Sequence, residues 1–304
     1  MTVEHFVLLA GKIYDPKFQR CRKAAELLEQ ASGGNLHLEV MSMWSTDYEV
    51  FLQNLECGVV GPVKLVHKEN VLFMFGPSKE SRIYAGGSDI FLGWTKREFG
   101  YDDSRTNRAL FNGVARRHFM ASLQATGRQF FKMVFESQNP EDDAGPTEPL
   151  GEIIVEMFTD VCPKTCARVL DLVAGKMGGP TYAGSLIHRI VPGGWVQGGE
   201  IKQPEHVTDE DASTLESFPD ETFAVKHNIP GIVGLASQGN VHTNASQFYI
   251  TLEELPWLDG KRVAFGRVIE GMRVLRTMAK LETENQRPVM PCVVRSCSVI
   301  KFNK

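Results

Sequence analysis

Six cysteines are the side chains of this chain with the most chemistry to offer at short range, as nucleophiles, redox partners or metal ligands. Their spacing argues against each role. Cys162 and Cys166 lie four apart at a helix start, Val161-Cys-Pro-Lys-Thr165. A structural zinc takes four ligands, and the neighbouring sequence supplies no second pair. Cys292 and Cys297 are five apart in a run that reads as a strand, which puts them on opposite faces. Cys21 falls deep inside a helical pattern, away from the N-terminal turn that stabilises a thiolate. All read as reduced, packed thiols, and neither a metal nor a cofactor is expected. A phosphate-cradling glycine loop, a metalloprotease helix and a Ser-His-Asp signature are likewise missing from the sequence.

Over the 304 residues, 33 basic side chains stand against 37 acidic. No Lys/Arg-rich run occurs, so a nucleic-acid partner is not expected. No apolar stretch approaches the ~20 residues that span a bilayer. The start, Met-Thr-Val-Glu-His, lacks the basic segment and apolar run of a secretory signal. The expectation is a cytoplasmic chain without membrane partners.

Residues 1–103 read as α/β. Phe6–Ala10 is a short apolar run fit for a buried strand. Phe18, Cys21, Ala25 and Leu28 recur at helical spacing behind an Asp15-Pro16 cap and first turn, and Gly33-Gly34 ends that helix. Leu36–Val40 alternates as a second strand, and Asp47–Leu55 reads as a helix. Val71–Phe75 and Arg82–Ala85 form a hairpin through Gly76-Pro77, and Asp89–Phe99 closes the domain as a helix. Residues 104–127 are predicted to be a helical connector with Leu110, Val114 and Ala121 on its apolar face. Arg116 and Arg117 read as a solvated face.

The order β-α-β-α-β-β-α resembles the thioredoxin-like fold. In that resemblance Tyr14-Asp15-Pro16-Lys17 occupies the place of the redox dithiol. Asn70 stands where a proline is expected before the third strand. Gly86-Gly87-Ser88-Asp89 is similar to a turn of glutaredoxin-like domains, and reads here as a tight turn and helix cap. Redox activity is not expected.

From residue 128 to 304 the pattern changes to strands. Phe131, Met133 and Phe135 alternate, as do Ile153, Val155 and Met157, with Asn139–Pro149 as a solvated hairpin loop. A helix follows Pro163, burying Cys166, Val169, Leu170 and Val173. Another near Met272–Leu281 buries Val274, Leu275, Met278 and Leu281. Many strands with two helices imply a mainly-β barrel with helices over its ends.

A run of short blocks in this half occurs in one order and spacing: Pro163-Lys-Thr165, Ile187-His-Arg-Ile-Val-Pro192, Gln197-Gly-Gly199, Pro230-Gly-Ile232, Thr243-Asn-Ala-Ser-Gln-Phe-Tyr249, Trp257-Leu-Asp-Gly-Lys261 and Val263-Ala-Phe-Gly266. They resemble the cyclophilins, from about 128 to 302, with one small insertion near Val241. The Gly194-Trp195 pair and the Cys-Pro-Lys-Thr-Cys helix start resemble a divergent branch of that family. The resemblance implies an eight-stranded barrel closed by two helices. It also implies cis–trans isomerisation of X–Pro peptide bonds, a reaction with no covalent intermediate. Uncatalysed, that reaction must break amide resonance against ~18–20 kcal/mol and takes tens to hundreds of seconds.

The site residues are implied by the same resemblance. Arg189 is the catalytic arginine, whose fixed fork of donors can serve the prolyl nitrogen as its lone pair localises. Gln197 contacts the substrate carbonyl and orients Arg189, and Gln247 lines the adjoining groove. His188 reads as a packed core histidine rather than a proton carrier, since the reaction needs no general base. Tyr249 replaces the phenylalanine beneath the proline ring, keeping the ring face and adding a hydroxyl that needs a partner. Leu258 is the pocket leucine and Trp257 the rim tryptophan. The departures are Gly194 and Trp195 for phenylalanine and methionine, Ser237 for asparagine, Arg262 for histidine, and Gln203–Ser217, with Glu205, Asp209, Glu210, Asp211 and Glu216, for a glycine-rich segment. Trp195 is expected to reshape the pocket.

Two functions follow. One is a prolyl isomerase of reduced activity acting on proline-containing protein segments. The other is a non-catalytic binding or scaffold module in a large assembly. The branch resembled is that of organisms with motile cilia, which implies the axoneme of a cilium as a location.

Overall fold

Strand β1 (His5–Lys12) carries apolar side chains on both faces, so it must lie between two packed layers. The computed structural model, which describes residues 5–32, 36–57, 61–62, 67–103, 106–137, 147–175, 179–201, 216–237 and 242–302, shows this. Val7 and Leu9 enter one apolar cluster, while Leu8 and Ala10 enter another. Helix α1 (Pro16–Ala31) supplies Phe18, Cys21, Ala25 and Leu28 to the first, and α2 (Ser45–Asn54) supplies Tyr48 and Leu52 to the second. Asp15 caps α1 by accepting from the N–H groups of Lys17 and Phe18 at 2.7 and 3.3 Å.

Strands β2 (Leu36–Met43), β3 (Val71–Gly76) and β4 (Ile83–Gly86) complete a sheet of order β2-β1-β3-β4. Its β1–β2 pair is parallel and the other pairs are antiparallel. Helix α3 (Ser88–Phe99) follows, then α4 (Leu110–Ala125). The face expected of α4 is corrected: Leu110 is 63% exposed, and the buried stripe is Phe111, Ala115, Phe119 and Leu123. That stripe keeps i, i+4 spacing and outweighs Leu110, Val114 and Ala121 because it holds two phenylalanines. The helix packs on α1 through His118, which meets Gln19 and Arg22. It belongs to the first of two compact units, Met1–Thr126 and Gly127–Lys304.

The second unit is a closed antiparallel barrel. Its strands are β5 (Gln129–Ser137), β6 (Glu148–Met157), β7 (Leu186–Val191), β8 (Trp195–Gly198), β9 (Ile232–Ser237), β10 (Asn244–Thr251), β11 (Ala264–Glu270) and β12 (Cys292–Val299), in order β8-β10-β9-β11-β6-β5-β12-β7. Phe131, Met133, Phe135, Ile153, Val155 and Met157 alternate into the core as their period-2 spacing requires. Helix α5 (Pro163–Ala174) adds Cys166, Val169 and Val173 to that core, and α6 (Met272–Met278) adds Val274, Leu275 and Met278.

Two expectations change here. A bulge between Val294 and Ser296 adds one residue to β12. Cys292 and Cys297 therefore pack against the same core rather than facing opposite ways. Glu148 and Pro149 belong to strand β6, not to a loop. Gly33-Gly34, residues 139–146, Glu205, Asp209, Glu210, Asp211 and Val241 lie outside the described residues.

Candidate ligand pocket on the barrel wall

Strand register builds the site. Gln197 of β8 stands opposite Arg189 of β7 on one side and Tyr249 of β10 on the other. Tyr249 stands opposite Gly234 of β9. Trp195 and Gln247 are each two residues from this row, hence on its face. Phe248 and Ile250 alternate into the barrel core, so Tyr249 faces away from it. There Tyr249, Leu255 and Leu258 form a small separate apolar cluster, against which Trp195 packs. The short 3-10 turn Pro256–Leu258 brings Trp257 and Leu258 over this face.

The result is a cavity of about 210 Å³ lined by Arg189, Trp195, Gln197, Ser237, Tyr249, Trp257, Leu258 and Arg262, with Ala236. Of the residues singled out for the site, Gln247, His188 and Gly194 do not line it; Gln247 is the one expected in the adjoining groove. That residue stands behind Gln197, accepting a hydrogen bond from its Nε2 at 2.9 Å. A larger groove of about 770 Å³ includes His188, Glu200 and Arg287. Nδ1 of His188 is buried there without a hydrogen-bond partner, and burial pulls its pKa down.

Trp195 turns into the pocket. Its ring centroid lies 5.9 Å from that of Trp257, and its Nε1 donates to Gln197 Oε1 at 3.2 Å. Gln197 is thereby tied to Trp195 and Gln247, and makes no hydrogen bond to Arg189. Arg189 instead donates from Nε to Gln286 Oε1 at 2.7 Å, with Cζ 5.3 Å from the Trp195 ring centroid. Among the described residues its Nη groups make no hydrogen bond, and neither Arg189 nor Arg262 forms an ion pair. Ser237 Oγ is buried without a partner.

The Tyr249 hydroxyl is accommodated by residues that sequence reasoning did not single out. A Cβ at Gly234 would come within 2.3 Å of that oxygen, so only glycine leaves it room. The hydroxyl meets His227 Nε2 at 2.7 Å, and His227 Nδ1 meets Asp259 Oδ1 at 2.9 Å. A carboxylate can only accept, which leaves Nδ1 protonated and Nε2 free to accept from Tyr249. Hydrogen bonds from the His227 backbone and then its ring hold the Asp259 carboxyl below the usual range. The signal was in the sequence as Lys226-His227 and Asp259, but the pairing depends on strand geometry.

The thiols sit apart from this pocket. Cys162 Sγ and Cys166 Sγ are 3.8 Å apart and both buried. The hydrogen bond to Cys162, followed by burial, pushes the Cys166 thiol up. In the N-terminal unit burial does the same to Cys21. There Asn70 Nδ2 donates to Asp15 Oδ2 at 2.8 Å. Glu69 Oε2 accepts from both the backbone N–H and the hydroxyl of Ser88, each at 3.3 Å, so a carboxylate of the chain itself occupies the α3 N-terminus. Among the described residues no group of three or more His, Cys, Asp or Glu could hold a metal ion, and no helix is long and apolar enough to cross a membrane.

Comparison with known proteins agrees with the barrel fold. The family model of cyclophilin type peptidyl-prolyl cis-trans isomerases matches residues 146–299. Three curated proteins similar to this chain carry the name probable inactive peptidyl-prolyl cis-trans isomerase-like 6. The one from Bos taurus is 44% identical over 152 residues, 48% of this chain and 49% of the relative. That from Mus musculus is 40% identical over 158 residues, 50% of each. That from Homo sapiens is 43% identical over 152 residues, 48% of each. The chain thus spans about half the length of the curated relatives it matches. With the matched residues making up half of the chain and supplying seven of the eight barrel strands, it belongs to the cyclophilin-type peptidyl-prolyl cis-trans isomerase family.

Proposed function

We propose that this chain binds X–Pro segments of proteins in the barrel-wall pocket and isomerises the peptide bond at a reduced rate. The observation that carries this reading is the pairing of an open 210 Å³ cavity, floored by Tyr249 and Leu258, with an arginine whose Nη donors are uncommitted. Ring faces and aliphatic carbon grip a pyrrolidine, while a guanidinium N–H meets the prolyl nitrogen as amide resonance is lost. A donor that bonds more strongly to the twisted amide than to the planar one lowers the barrier, tenfold in rate for each ~1.4 kcal/mol. The rate is reduced because Gln197 is pinned by Trp195 and Gln247, which fix its amide and leave one Nε2–H to reach a substrate carbonyl.

A second reading, a binding module without catalysis, is favoured by that same occupied Gln197 and by the word "inactive" in the relatives' names. On it the barrel serves as part of an assembly, the ciliary axoneme being the one implied by the branch resembled. We read the N-terminal unit as thioredoxin-like on its β2-β1-β3-β4 order. Glu69 and Asp15 stand where a redox site would be, and we infer a binding role for it in the cytoplasm.

The deciding experiment is exchange NMR of an Xaa-Pro peptide panel with the full chain. Line broadening that vanishes in Arg189→Ala is the expected result. Binding shifts without exchange would favour the module, and full exchange in Arg189→Ala would remove the role given to the arginine.

A further inference from the structure

Asn285 and Gln286 form the tip of the hairpin Thr283–Glu284/Arg287–Pro288, with φ of 49° and 68°. Two consecutive left-handed residues make the two-residue turn in which Asn-Gly is the favoured pair. Asparagine suits the first place. At the second, a glutamine carries its Cβ in a region where any side chain but glycine's absence of one is disfavoured. A residue held against its preference at a site calls for an account of what holds it.

Two contacts are visible, both with strand β7. The Gln286 carbonyl accepts from the Ile190 N–H at 2.7 Å. Its Oε1 accepts from Arg189 Nε at 2.7 Å. Glycine at 286 would keep the first contact at lower strain and lose only the second. What the glutamine side chain adds is therefore its hold on Arg189. Gln197, the register partner of Arg189, does not supply that hold: its Oε1 accepts from Trp195 and its Nε2 donates to Gln247. The Trp195 ring bounds the guanidinium as well, so its plane is set by an acceptor at Nε and an indole. Both Nη groups stay free for a ligand.

We propose that Gln286 is the positioning residue of Arg189, fixing the guanidinium so that its Nη donors face the pocket. The proposal rests on reading that pocket as a site for X–Pro ligands. The bond joins two exposed side chains, so it contributes orientation more than stability.

The test uses the full chain with an Ala-Ala-Pro-Phe peptide and follows three readouts: the Arg189 Nε–H resonance, peptide affinity or exchange rate, and melting temperature. In Gln286→Gly the resonance should move toward that of a free guanidinium. Affinity or rate should fall about three- to tenfold, the worth of one net hydrogen bond, while the melting temperature holds or rises. Gln286→Glu restores an acceptor and should restore the held resonance. An unchanged resonance and affinity in Gln286→Gly would overturn the proposal. So would a loss of affinity that only tracks a lower melting temperature. If the wild-type chain neither binds nor exchanges the peptide, the proline reading falls, and the resonance still decides whether Gln286 holds Arg189.

Discussion

Tyr249 adds an oxygen to an apolar pocket without making the pocket polar, because its hydroxyl donates away from the cavity to His227. A buried hydroxyl without a partner costs about 1–3 kcal/mol. Here the chain Tyr249–His227–Asp259 removes that cost, and Gly234 supplies the space. Trp195 has the opposite effect, since its indole N–H takes up the acceptor of Gln197. Trp195→Met should free that oxygen to accept from a substrate N–H and raise the rate of X–Pro exchange about fivefold, if one net hydrogen bond to the substrate is regained. The same NMR assay measures it, and a rate no higher than wild type would show that Gln197 is not what limits the site. The residue types were all legible beforehand. That Trp195 points inward, and that Gln286 rather than Gln197 reaches Arg189, were not, because rotamers follow from neighbours distant in sequence.

Elements carry a second set of effects. Helix α5 begins at Pro163 behind Cys162, which offers no side-chain cap. Its exposed N–H groups are met instead by Glu221, whose carboxylate oxygens accept from Lys164 at 3.0 Å and Thr165 at 2.7 Å. Burial alone would raise the Glu221 carboxyl, but these N–H groups outweigh it and hold it below its ordinary value. A carboxyl depressed in the folded state adds stability that is complete above its unfolded pKa and lost as pH falls through the folded one. Glu221→Ala should cost about 1 kcal/mol near neutrality, as lost caps do. That deficit should shrink in acid, which urea titrations at two pH values would show. Proline and the apolar stripe made this helix legible in the sequence. A cap from 56 residues away could not be read. The bulge that turns Cys292 and Cys297 to one side was equally hidden, since a period of two assumes an unbroken ladder.

At the scale of the molecule, each compact unit has its own core. The barrel closes through the pairing of its first strand, β5, with its last, β12. Residues 127–304 should therefore melt as one cooperative transition when produced alone, and a version ending before Cys292 should not fold. Circular dichroism melts of the two fragments check this; a cooperative transition in the shorter one would show that the barrel does not need closure. The N-terminal unit keeps an α/β layer order, in which Asn70 bonds to Asp15 and Glu69 meets the start of α3.

The sequence by itself determined the strands and helices whose apolar periods are strong, the cyclophilin blocks, and the residue types of the pocket. These are local properties, set by side-chain volume and by spacing along the chain. Tertiary structure decided which of those residues touch. Strand register put Arg189, Gln197 and Tyr249 in one row, and packing turned Trp195 into the cavity. A hairpin tip almost a hundred residues on supplied the acceptor for Arg189. Hydrogen bonds between distant side chains depend on positions to within a few tenths of an ångström, and no spacing along a chain fixes such distances.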